Sequence, residues 1–166
     1  MQHTPGDRRY TCGTAPSHHR EAPMPDAADN LALRLLDAVH RTRGVDPGIV
    51  TDRYRAYRAA QGADAGHDGI RALLRTFEET GGSAQWAGKV GHYRRRYSPE
   101  DAPIAADTVE LAADVLYRHG VDTVDDLAGT DDTTLADDWQ RAGGDPAVWQ
   151  PLLDALRPAR ALSGVA

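Results

Sequence analysis

Residues 70–86 read IRALLRTFEETGGSAQW. Ile70, Leu73, Leu74 and Phe77 fall at i, i+3, i+4 and i+7, the spacing of one buried helical face. Gly81-Gly82 ends that helix, and Ser83 stands where it can cap a second one carrying Trp86. The second pattern runs on through WAGKVGHYRRRY, residues 86–97. There Trp86, Val90, Tyr93 and Tyr97 keep helical spacing, with Lys89, His92, Arg94, Arg95 and Arg96 between them, and Ser98-Pro99 breaks it. Two amphipathic helices in succession must bury their stripes against other elements, which predicts a helix-on-helix core.

Outward from this stretch the same period recurs. Upstream, Leu31, Leu35, Leu36 and Val39 form a stripe ending near Gly44. Asp46-Pro47 supplies an N-cap and a first-turn proline for a helix through Val50, Tyr54 and Tyr57. Downstream, Ile104, Leu111, Val115 and Leu116 point inward on a longer helix that stops at Gly120. Thr123 and Asp126 match a capping box with Asp in place of the usual Glu, ahead of Val124 and Leu127. Leu135 with Trp139, then Val148, Leu152, Leu153 and Leu156 after Asp145-Pro146, complete the series. No stretch sustains period-two alternation. The expected fold is all-α, a compact bundle of about seven or eight short helices spanning residues 28–157. Residues 1–27, rich in Pro, Gly, Thr and His, are expected to be a disordered tail, with Met24 an alternative start. Residues 158–166 form a C-terminal tail.

Composition narrows the function classes. With 166 residues, 40% hydrophobic and 27% charged, the chain fits one soluble domain. No apolar run approaches the roughly 20 residues of a membrane helix, and no signal segment opens the chain, so a cytoplasmic protein without membrane partners is expected. Cys12 is the only cysteine, which excludes an internal disulfide and any multi-cysteine metal site. The net charge of −6 conceals an asymmetry. Basic residues outnumber acidic ones from Arg34 to Tyr97, whereas from Asp107 to Asp138 only Arg118 opposes a series of carboxylates.

The cations of residues 86–97 are the candidate nucleic-acid contacts. Lys89, Arg94, Arg95 and Arg96 can neutralise phosphates, and Tyr93 or Tyr97 can stack on an exposed base. Consecutive arginines fan over roughly 200° of a helix, however, so the aromatic row reads as a buried stripe with the arginines around it. Arg53, Arg55 and Arg58 flank Tyr54 and Tyr57 in the same manner. Asp125-Asp126, Asp131-Asp132 and Asp137-Asp138 lack the spacing of a calcium loop and read as helix starts and solvated faces. His3, His18 and His19 belong to the tail. No metal site is expected.

The order of motifs resembles a family of uncharacterised actinobacterial helical proteins distantly similar to helix-hairpin-helix DNA-repair glycosylases. DNLALRLLDAVHRTRGV, DRYRAYRAAQG, LLRTFEETGG, QWAGKVG, APIAADTVELAADVL and GVDTVDDL carry it, from Asp29 to Leu156. The resemblance implies the helical repair-glycosylase scaffold. The chain departs from the pattern at Ala105, where relatives have a basic residue. It departs again at residues 141–146, where RAGGDP replaces a Pro-Gly-Gln hairpin ahead of the tryptophan matching Trp149. A further basic segment is replaced by residues 157–166. The only lysine, Lys89, lies well before the place a glycosylase amine would occupy, and Asp145 is explained as a helix cap. Some members of the family are labelled heme peroxidase, which implies an axial histidine: His92, His40 or His119, with Arg94 beside His92 as a charge donor.

These residues point to a non-catalytic helical protein that binds nucleic acid or a protein partner through its basic half, without a cofactor. The alternative is a heme- or small-ligand-binding protein, and the third reading a degenerate base-excision glycosylase.

Overall fold

The computed structural model describes residues 30–44, 46–91 and 102–157, of which 102–104 as backbone alone. Among the described residues there are eight α-helices and no strand. They are α1 Leu31–Thr42, α2 Pro47–Ala60, α3 Ile70–Thr80, α4 Ser83–Trp86, α5 Ala102–Arg118, α6 Val124–Ala128, α7 Asp132–Arg141 and α8 Pro146–Leu156. A 3-10 turn at Ala65–His67 precedes α3, and a π turn at Ala87–Gly91 follows α4. The expected all-α bundle is thus observed. The two tails and the end of the aromatic row (His92, Tyr93, the three arginines and Tyr97) lie outside the described residues.

α1 is the centre of the molecule. It packs on α2, α3, α5 and α8, and Leu31, Ala32, Leu33, Leu35, Leu36, Ala38, Val39 and His40 are all buried. The sequence stripe understates this: alanines at 32 and 38 fill the positions between the leucines and let neighbouring helices approach from more than one side. Asp37 and Arg41, paired at 2.9 Å one turn apart, mark its wet edge.

The helix starts follow local chemistry. Asn30, Asp46, Asp131 and Asp145 accept backbone N–H groups of the first turns of α1, α2, α7 and α8. The Thr123–Asp126 capping box opens α6. Ser83, expected as a cap, is instead the first residue of α4 behind Gly82, which makes no side-chain cap; its hydroxyl donates to Asp107. α3 also lacks a local cap at Gly69. Asp122 supplies one from across the fold: its carbonyl accepts Ile70 N–H at 3.1 Å and its Oδ1 accepts Arg71 N–H at 2.7 Å. Glycine is required at 69 because a Cβ there would stand 2.4 Å from the Asp122 carbonyl oxygen.

Two ring stacks anchor the halves. Phe77 and Trp86 lie 4.6 Å apart at 10°, and Trp139 and Trp149 lie 4.9 Å apart at 23°. Trp86 and Val90 are buried, so the described part of the aromatic row faces the core as expected. It is not one α-helix, however, because the backbone widens to the π turn immediately after Trp86.

Candidate functional site

Three arginines of the basic half, Arg34, Arg53 and Arg58, work as structural ties. Arg53 donates to the carbonyls of Val90 and Lys89, both at 3.1 Å, and Arg34 to that of Leu156 at 3.1 Å. Each satisfies carbonyls at the end of a helical segment, which carry partial negative charge. Arg58 clamps Asp68 through Nε at 2.7 Å and Nη2 at 3.2 Å. Asp68 is 7% exposed and Arg58 14%. Tyr54, fully buried on α2, donates its hydroxyl to the same Asp68 Oδ2 at 2.8 Å, and burial followed by the Asp68 charge pushes its pKa far up. The tyrosine is therefore a hydrogen-bond donor throughout the physiological range. Asp68 sits in a loop between helices, where no period or cap pattern marks it in the sequence.

Asp138 is a second buried carboxylate, not the solvated residue expected. Arg141 lies 3.0 Å from it, and Arg118 and His119 each lie 3.3 Å away. His119 thus joins the end of α5 to α7. His40, the other described candidate ligand, is buried in α1 with Nδ1 2.6 Å from the Leu36 carbonyl. Because a carbonyl only accepts, Nδ1 carries the proton. Burial, foremost, holds the imidazole below its usual pKa and hence neutral. His92 lies outside the described residues. Lys89 is exposed on the π turn.

The segment joining α7 to α8 has its own geometry. Gly143 N–H donates to Gln140 O at 3.0 Å and Gly144 N–H to Trp139 O at 2.9 Å. These are the two bonds of a helix-terminating Schellman motif. Both amides are thus turned back onto α7.

The open concavity lies elsewhere, between α3 and α5. It has a volume of ≈ 860 Å³. α3 lines it with Arg71, Leu74, Arg75 and Glu78, and α5 with Asp107, Glu110, Leu111, Asp114 and Tyr117. Both sets follow helical spacing, so each is one face of its helix. The helices run antiparallel: Arg71, at the start of α3, lies over the ring of Tyr117 at 5.8 Å near the end of α5, while Ser83, just past α3, meets Asp107 near the start of α5. The groove is consequently graded in charge. Glu78, Asp107 and Glu110 occupy one end and Arg71 with Tyr117 the other, with Leu74 and Leu111 half-buried between them. Burial, and next the charge of Asp107, raises the Glu110 pKa above the usual carboxylate value. Tyr117 is 44% exposed, unusual for a large aromatic side chain. Of these residues, sequence reasoning singled out only the leucines, as core. The available signal was that Leu74 directly follows Leu73 and that both Leu74 and Leu111 have charged neighbours at helical spacing, widening each apolar face beyond one partner.

Among the described residues, no group of three or more His, Cys, Asp or Glu side chains is placed to hold a metal ion. No helix among them is long and apolar enough to cross a membrane.

Fold and groove together define an all-helical domain with a charged two-helix cleft. The model of a family described as a domain of unknown function, DUF8548, matches residues 10–147, and the chain belongs to that family. Comparison with curated proteins and with solved structures gives no match.

Proposed function

We propose that this chain is a non-catalytic binding domain whose α3–α5 groove receives a protein partner. The observation that carries the reading is the groove itself: two half-buried leucines and an exposed tyrosine lie between charged rims, the anatomy of a protein-binding patch with an apolar centre and a polar surround. In the basic half, Arg58 is paired with the Asp68 carboxylate, and Arg34 and Arg53 are fixed in place by backbone carbonyls.

The other readings keep narrower support. Nucleic-acid contact rests on exposed Lys89 and on the three arginines at 94–96. Heme ligation rests on His92, His40 or His119; one ring nitrogen of His40 meets the Leu36 carbonyl and one of His119 meets Asp138. A repair-glycosylase ancestry rests on the order of sequence motifs, with Asp145 serving as the α8 cap.

The test replaces Tyr117 with a photoreactive phenylalanine in the full chain and irradiates living cells. A discrete protein adduct, lost when Leu111→Arg is added to a chain that still folds, is expected. Adducts to nucleic acid, or a protein adduct indifferent to Leu111→Arg, would refute it.

A further inference from the structure

Resting on that reading, we infer that the groove's partner is a basic amphipathic helix, docked antiparallel to α3. The argument is one of charge and dipole together. The groove is lined by carboxylates at 78, 107, 110 and 114 against guanidinium groups at 71 and 75, so its balance is negative. Asp114 is paired with Arg118 at 2.8 Å, which concentrates the available negative charge at the Glu78–Asp107–Glu110 end.

A cation arriving there relieves the repulsion between Asp107 and Glu110. The opposite end, with Arg71, repels cations, while Arg75 lies next to Leu74, midway along the groove. A helix carries partial positive charge at its N-terminus and partial negative charge at its C-terminus. Side-chain charge and macrodipole therefore select the same orientation: the N-terminal, lysine- or arginine-bearing turns against Glu78, Asp107 and Glu110, and the C-terminal turn beside Arg71. That direction is antiparallel to α3 and parallel to α5. Apolar side chains at i, i+3, i+4 and i+7 of the visitor then meet Leu74, Leu111 and Tyr117, as in other helix-in-groove complexes. α3 has 11 residues, about 16 Å at 1.5 Å per residue, so about three turns of the visitor are in register with it.

The probe is a fluorescein-labelled Leu/Ala/Lys helix of about four turns, with lysines confined to its N-terminal half. It is titrated with the full-length chain by fluorescence anisotropy. A second peptide carries the same composition with the lysines in the C-terminal half. The first peptide should bind about tenfold more tightly than the second, and Asp107→Asn with Glu110→Gln should remove most of that preference. Asp125→Asn with Asp137→Asn, which removes as much charge from exposed sites on α6 and α7, should leave it unchanged.

Equal binding of the two peptides, or equal loss with either pair of substitutions, would overturn the inference as diffuse attraction to an acidic protein. A concentration-dependent dimer in sedimentation, abolished by Tyr117→Asp, would overturn it in favour of a second copy of the chain. A Tyr117 protein adduct without peptide discrimination sinks the basic-helix assignment alone. Loss of both sinks the groove as a protein site as well.

Discussion

Asp122 caps a helix that begins far from it in sequence: its Oδ1 accepts the N–H of Arg71 at 2.7 Å across a separation of 51 residues. The same residue's carbonyl takes the N–H of Ile70, and its own N–H donates to Asp126 at 3.0 Å. The start of α3 is thereby tied to the start of α6. Asp122→Ala should cost about 0.5–2 kcal/mol, the usual range for losing an N-cap, in urea unfolding followed by circular dichroism. No loss would mean that water serves the α3 terminus equally well.

Trp86 tests the burial of the aromatic row. Its ring stacks on Phe77 and its indole N–H donates to Thr76 Oγ1 at 2.9 Å, while that hydroxyl donates to Leu73 O at 2.7 Å. Trp86→Ala should destabilise by about 3–5 kcal/mol. Thr76→Val should cost about 1–3 kcal/mol by stranding the buried indole N–H. A Trp86→Ala protein of near wild-type stability would place this ring outside the core.

Asp68 is the sharper of the two polar tests. Removing one partner of a buried ion pair leaves the other uncompensated, so Asp68→Ala should cost about 3–5 kcal/mol. Tyr54→Phe, which deletes one neutral donor to the same carboxylate, should cost about 0.5–3 kcal/mol. Chemical denaturation of the single and double variants should show strong coupling, since both act through Asp68 Oδ2. Additive losses would contradict a shared site.

Glycines separate by what surrounds them. A Cβ at Gly144 would fall 2.1 Å from the Trp139 ring, while one at Gly88 would meet nothing within 4 Å. Gly144→Ala should destabilise by about 1–3 kcal/mol. Gly88→Ala should be neutral or stabilising by about 0.4–1 kcal/mol, because it restricts the unfolded chain. Thermal melts of the two variants should move apart, and a shared direction would refute the assignment.

His40 predicts a pH dependence. Its folded pKa lies below the ordinary histidine value of 6.5, so below that pH the unfolded chain binds a proton that the native state resists. Stability is therefore full above pH 6.5 and falls as the pH drops through 6.5 toward the lower native value. The cap carboxylates Asp126 and Asp131 have folded pKa values below 3.8 and act only in a more acidic window. His40→Gln should flatten the slope of unfolding free energy just below about pH 6.5. An unchanged slope would assign it to other groups.

Helix existence and most helix starts were legible in the sequence, because they depend on groups within four residues of each other. Asp46-Pro47, Thr123 with Asp126, and Asp145-Pro146 cap what they were expected to cap. Ser83 misled because Asp107 competes for its hydroxyl, and Asp107 is 24 residues away. The candidate groove was largely invisible for the same reason. Leu74 and Leu111 read as core on period alone, since period cannot say whether a helix face has one neighbour or stands between two.

By itself, then, the sequence determined an all-helical chain, its stripes and its punctuation, since i→i+4 bonding, side-chain period and capping are local. Only the tertiary structure decided that α1 is enclosed, that Asp68 and Asp138 gather cations around buried carboxylates, and that Arg71 reaches Tyr117 to shape a graded cleft. Those features require side chains distant along the chain to share one dry or half-dry space. Packing alone selects among the ways such helices can meet.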